Sequence, residues 1–153
     1  DFMEEIYAKL EVLPCKKIFF IDACHSGLIN QNMLNKKGIS DSDLKYKGAL
    51  QNLMEINNVS NVMLSCGPDE YSYEHEDWHN SAFMESLESI LTNKSLCRKL
   101  DTNKDSVLSL LEIKHRFVEK TFEIVKQVMG KNEKQTPILV GGEKGIDIPF
   151  FAY

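Results

Sequence analysis

Lys17-Ile18-Phe19-Phe20-Ile21-Asp22 is a short apolar run closed by charge at both ends. A run of this length reads as a strand. Its continuous rather than alternating pattern fits a strand covered on both faces, as in a parallel sheet. Val59 to Cys66 reads as a second strand, broken by Gly67-Pro68, and Ile138-Leu139-Val140 as a third, closed by Gly141-Gly142. Helical spacing fills the intervals. Phe2, Ile6 and Leu10 recur on one face until Pro14 ends the helix. A second helix is expected over about 42–56, with Leu50, Leu53 and Met54 inward. A third carries Ala82, Phe83, Leu87, Ile90 and Leu91 on one face. A fourth runs from Leu110 to Met129, with Leu110, Ile113, Phe117, Val125 and Val128 inward and Gly130 as its C-cap. Residues 30–43 and 69–80 are polar loops. The order αβαβααβ is that of an α/β domain. Three strands make a thin sheet, so further strands are expected before Asp1.

The chain has 153 residues, enough for one domain, with 42% hydrophobic and 27% charged residues. No apolar run approaches the ~18 residues of a membrane span. The acidic start, Asp1-Phe2-Met3-Glu4-Glu5, lacks the pattern of a secretory leader. The net charge of −5 argues against general binding to nucleic acid or anionic membrane. Cys15, Cys24, Cys66 and Cys97 form no CxxC pair, and a chain of this length with scattered cysteines suits a reducing, cytoplasmic compartment.

Asp22-Ala23-Cys24-His25-Ser26-Gly27 directly follows the first strand. Sites in parallel α/β sheets form at the carboxyl ends of strands. A cysteine there faces a crevice, with its backbone N–H able to meet a developing oxyanion. From spacing alone, Cys24 reads equally as a nucleophile or as a structural thiol.

Residues 17–27, ending in D-A-C-H-S-G, resemble the catalytic-cysteine strand of caspase-like peptidases, in particular the metacaspase and bacterial caspase-like branch. Tyr71-Ser72-Tyr73-Glu74 resembles the small-subunit Y-S-W-R of animal caspases, and Ser81-Ala82-Phe83 to Leu87 the helix that follows it. Gln135-Thr136-Pro137-Ile138 and Asp147-Ile148-Pro149 resemble the closing segment of bacterial members. The resemblance implies a three-layer αβα sandwich with a mostly parallel central sheet. It implies one peptidase domain over residues 1–153, incomplete at its N-terminus. Residues 1–40 would be its nucleophile segment, and 41–153 the remainder, including the small-subunit-like part.

It also implies a Cys–His dyad acting on protein or peptide substrates, with Cys24 as nucleophile. The family's histidine lies about 50 residues upstream of the cysteine, and no histidine precedes Cys24 here. The base is therefore expected on a missing N-terminal segment, with further regulatory domains as additional partners. His25, adjacent to Cys24, diverges from it; His75 and His79 are weaker substitutes on an acidic loop, and His115 sits on a helix. Lys36-Lys37 lies where family members are often processed and is a candidate self-cleavage site.

Residues 69–77 hold five acids and no Lys or Arg. Unaided, the stretch reads as a solvated loop. In the resemblance, Glu74 stands where animal caspases place the arginine that binds an aspartate side chain, and Asp22 matches the metacaspase acid of the same pocket. Carboxylates there select Arg or Lys and disfavour Asp at the scissile position. Ser65 and Ser72 complete the expected pocket.

Asp101, Asn103, Asp105, Ser109 and Glu112 match oxygen-ligand positions 1, 3, 5, 9 and 12 of an EF-hand calcium loop, although Ser106 replaces the glycine of position 6. Ser109 to Glu112 is equally a capping box opening a helix, so calcium and a purely structural turn both stand. A zinc site from Cys66, His75 and His79 is a further option. No cofactor is required by the dyad. The alternatives to a peptidase are an inactive caspase-fold scaffold and a calcium-responsive regulatory module.

Overall fold

The structure, a computed structural model, describes residues 9–10, 12–22, 59–67, 70–140 and 148–153. Lys9 and Leu10 are helical, where the first helix was expected to end. The rest of that helix, the expected 42–56 helix, Cys24 and Lys36-Lys37 lie outside the described residues.

The apolar run becomes β1 (Lys17–Ile21) and pairs in parallel with β2 (Val59–Leu64), Ile18 opposite Asn61 and Ile21 opposite Leu64. β4 (Ile138–Val140) pairs with the other edge of β2, giving the order β1-β2-β4. That second pairing is antiparallel, with Leu64 opposite Ile138 and Val62 opposite Val140. The sheet is therefore mixed. The physical reason is the route of the chain, since the segment before β4 is tied to the carboxyl end of β2 and β4 enters the sheet from that end.

The expected third helix is α1 (Ala82–Leu91), capped by Ser81, whose hydroxyl accepts from Met84 N at 3.2 Å. It buries Ala82, Phe83, Ser86, Leu87 and Ile90 at helical spacing. α2 (Lys94–Leu100), a two-turn helix capped by Asn93, follows at once and buries Cys97. β3 (Val107–Ser109) leads directly into α3 (Leu110–Met129), which Gly130 ends with φ 109°. β5 (Pro149–Ala152) pairs antiparallel with β3 in a separate two-stranded sheet.

One core joins these elements. Met63 and Leu139 from the three-stranded sheet meet Phe83, Leu87 and Ile90 of α1, Cys97 of α2 and Ile113 and Phe117 of α3. The Phe83 and Phe117 rings lie 4.9 Å apart, a favourable aromatic pairing distance. Val128, expected inward, is exposed, and Ile124 is buried instead. The ten residues of α1 span about 15 Å and the twenty of α3 about 30 Å. Their packing reaches Ala82 against Ile124 and Val125, and the last turn of α3 runs past it.

Candidate functional site

Asp22 follows β1, at the carboxyl end where parallel strands build sites. Its two carboxylate oxygens are held by two hydroxyls. Ser72 Oγ donates to Oδ1 at 2.8 Å, and Ser81 Oγ donates to Oδ2. Ser81 thus serves twice, capping α1 through its acceptor lone pair and orienting Asp22 through its proton. Glu74 is brought alongside by the backbone. It bridges to Ser81 in antiparallel fashion, and Ala82 N donates to Tyr73 O at 2.8 Å.

An open cavity of about 360 Å³ lies between these groups. Asp22, Glu74, His75, Trp78, His79 and Ser81 line it, and no Lys or Arg does among the described residues. Among the described lining residues, two carboxylates with no Lys or Arg beside them give it a negative field, suited to a cationic guest. Ser65 and Ser72 are not among its lining residues. Ser72 acts through Asp22, while the fully buried Ser65 continues the β1–β2 ladder, its N–H donating to Ile21 O at 2.9 Å.

Behind the cavity, residues 70–73 are strapped to 133–136. Glu70, 9% exposed, accepts from Gly67 N at 3.1 Å, Thr136 N at 2.6 Å, Thr136 Oγ1 at 3.0 Å and Lys134 Nζ at 2.9 Å. Burial pushes its carboxyl up, but the lysine and the backbone donors outweigh burial and hold it below the usual glutamate value. Gln135 is fully buried. Its amide donates to Ser65 O at 2.9 Å and Ser72 Oγ at 3.3 Å, and its Oε1 accepts from Tyr73 N at 2.9 Å. The Tyr73 hydroxyl donates to Glu133, which pushes its pKa up to about 12. Gln135 and Ser81 were not expected at the site. The signal for Ser81 was its position just before an apolar-periodic run, an N-cap signature. Nothing in residue spacing announced Gln135.

The caspase-domain family model matches residues 3–142. The chain belongs to the caspase-domain family. That assignment brings an α/β caspase-like fold, in keeping with the helices and mixed sheets observed, and the general chemistry of cysteine peptidases, hydrolases of peptide bonds in proteins. Cys24 falls within the matched caspase-domain segment and outside the described residues. No curated protein and no solved structure matches the chain significantly.

The histidines weighed as substitutes for the caspase-domain base divide by position. His75 and His79 line the acidic cavity. His75 Nδ1 accepts from Asp77 N at 3.2 Å and its ring lies 5.5 Å from that of Trp78. His115 stands exposed on α3 beside Glu119.

The 101–112 loop lies apart from the cavity-lining residues. Asp101 accepts from Lys104 N at 2.7 Å, Ser106 N at 2.9 Å and the Tyr153 hydroxyl at 2.9 Å. Asn103 Oδ1 accepts from Asp105 N, and Asp105 Oδ1 from Val107 N. Ser109 and Glu112 form a complete capping box for α3. Glu112 Oε1 also accepts from Thr102 N at 2.7 Å. Ser106 makes the sharp turn despite its Cβ, with φ 64°. All five expected ligands take part in hydrogen bonds to backbone N–H groups of the turn or of the start of α3. Among the described residues, no three His, Cys, Asp or Glu side chains are grouped to hold a metal ion, and no helix is long and apolar enough to cross a membrane.

Proposed function

We propose that the chain is a cysteine endopeptidase of the metacaspase and bacterial caspase-like branch that cuts proteins after Arg or Lys. The observation that carries this reading is the shared cavity of Asp22 and Glu74, lined by two carboxylates and no Lys or Arg among the described residues. A guanidinium or ammonium group entering it finds charge-assisted acceptors, whereas an aspartate side chain meets repulsion. Cys24, two residues beyond Asp22 in the sequence, is the nucleophile of the proposal, and its histidine comes from polypeptide preceding Asp1. The thiolate attacks the scissile carbonyl carbon, and the Cys24 backbone N–H stabilises the oxyanion. The imidazolium then gives its proton to the leaving amine as the C–N bond breaks, and water hydrolyses the thioester. None of these steps requires a cofactor.

The same proposal includes further parallel strands from the preceding segment, completing a three-layer sandwich, self-cleavage at Lys36-Lys37, and a cytoplasmic setting that keeps the thiol reduced. The test is cleavage by the full-length protein of matched peptides with Arg, Lys or Asp at the scissile position. The Arg and Lys peptides are cut and the Asp peptide is not, and Cys24→Ala abolishes turnover. Preference for the Asp peptide overturns the acidic subsite, unchanged turnover by Cys24→Ala overturns the nucleophile, and no cleavage of any of the peptides by the wild type favours the inactive-scaffold alternative.

A further inference from the structure

We propose that Gln135 is a positioning residue of the acidic cavity. Its side-chain amide sets the direction of the Ser72 hydroxyl, and that hydroxyl fixes Asp22 to receive a basic side chain. The inference rests on the reading of the cavity as the subsite for Arg or Lys. Gln135 is not one of the cavity-lining residues and acts through two hydrogen bonds in series.

The amide can take only one orientation. Gln135 is fully buried, so its polar atoms must be met by protein groups. Tyr73 N donates to Oε1 at 2.9 Å, and Nε2 donates to Ser65 O at 2.9 Å. A backbone N–H can only donate and a backbone carbonyl can only accept. Turning the amide over would set Oε1 against the Ser65 carbonyl and the amino group against the Tyr73 N–H. With the amide so fixed, Nε2 also donates to Ser72 Oγ at 3.3 Å. A serine hydroxyl has a single proton. Having accepted from Gln135, Ser72 directs that proton to Asp22 Oδ1 at 2.8 Å. The series runs one way, from amide to hydroxyl to carboxylate, and each bond polarises the next.

The placement of Gln135 serves the cavity from two sides. Its oxygen holds the backbone of Tyr73, one residue before Glu74, while its amino group acts on Asp22 through Ser72. The strap to which it belongs already has an anchor in Glu70, which accepts from Gly67, Thr136 and Lys134. Holding the strap therefore does not by itself call for a buried amide whose second proton reaches Ser72. Asp22 keeps a further support in Ser81, so loss of the Gln135 series weakens its placement without abolishing it.

The experiment measures cleavage of an Arg peptide by the full-length protein carrying Ser72→Ala, Gln135→Met or Gln135→Glu, each with Asp22 intact and with Asp22→Ala. With Asp22 intact, Ser72→Ala and Gln135→Met each raise KM about threefold with kcat kept. The two together raise it no further than either alone. Gln135→Glu, of the same size, cannot donate to Ser72 and takes its proton from Asp22, so KM rises at least as much. With Asp22→Ala, none of the three adds a further rise. The thermal midpoint falls with Gln135→Met in both backgrounds, which separates the packing role from the positioning one. Should Gln135→Met fail to fold, Gln135→Glu and Ser72→Ala carry the same comparison. Unchanged KM in Ser72→Ala overturns the proposal, as does an equal rise in KM with and without Asp22, which leaves Gln135 as a brace of the strap. In either case the acidic subsite stands. Failure of the wild type to cut Arg or Lys peptides, or an unchanged KM in Asp22→Ala, overturns the subsite and this inference together.

Discussion

Asp22 and Glu74 carry the same charge into the same cavity, yet their surroundings give them unequal weight. Asp22 is held by two hydroxyl donors, one of them the N-cap of α1. Each carboxylate oxygen has a second lone pair to offer a guest, so the geometry is set before binding and little side-chain freedom is lost. Glu74 is placed only by its backbone bridge to Ser81 and is exposed, so its charge is screened by solvent. Asp22→Asn preserves the shape and removes the charge. It is expected to reduce kcat/KM on an Arg peptide by about tenfold, against about threefold for Glu74→Gln. Circular dichroism of both variants should match wild type. Equal losses would show that the two hydroxyls do not preorganise Asp22. Both carboxylates were legible from the motif resemblance, because each occupies a position defined relative to a neighbouring signature. Their supports were not, since the partners of Asp22 lie 50 and 59 residues away in sequence.

At the scale of elements, the strap between 70–73 and 133–136 keeps the cavity wall in register with β2 and β4. Glu70 is its anchor. Gly67 belongs to the same arrangement, since a Cβ there would lie 3.1 Å from Glu70 Cδ. Removing the carboxylate leaves the N–H groups of Gly67 and Thr136 without their acceptor, so Glu70→Ala is expected to lower the unfolding free energy by about 2–3 kcal/mol. Its folded-state pKa lies below the ordinary value of 4.5. The stabilisation is therefore complete above that value and is lost as the pH falls below it through the folded pKa. Urea unfolding between pH 7 and pH 3 should show stability falling at the acid end, with a shallower fall in Glu70→Gln. Identical pH profiles would remove Glu70 from the acid response. The elements themselves divide by length and pattern. β1, β2, α1 and α3 were read from runs or periodicities long enough to be unambiguous. The seven-residue α2 spans barely two turns, too few to show a period. β3 has three residues buried inside a loop motif, and β5 opens with Pro149, a residue that marks edges. The antiparallel sense of β4 was also hidden, because direction depends on where the preceding segment docks.

For the molecule as a whole, the question is how the small β3–β5 sheet is joined to the three-stranded one. Two connections are present. Covalently and by hydrogen bonds, β3 runs into α3, Leu110 N donates to Ile148 O at 3.3 Å, and Tyr153 reaches Asp101. Through side chains, Phe150 of β5 lies 6.1 Å from Phe20 of β1, and Phe20 lies 6.4 Å from Phe83. The aromatic series Phe150, Phe20, Phe83, Phe117 thus runs from the second sheet through the first to both long helices. If this contact is what docks the sheets, its energy must appear as coupling and not merely as lost apolar area. Phe150 is half-buried, so Phe150→Ala should cost about 2 kcal/mol, less than the ~3–5 kcal/mol of a fully buried phenylalanine such as Phe83. The double variant Phe20→Ala/Phe150→Ala should then cost about 0.5–1.5 kcal/mol less than the two single losses added. Urea unfolding of the four proteins closes the cycle. Strict additivity would mean that the backbone connections and Leu108, fully buried in the shared core, hold the small sheet, and that the aromatic pair merely fills space between two surfaces already in place.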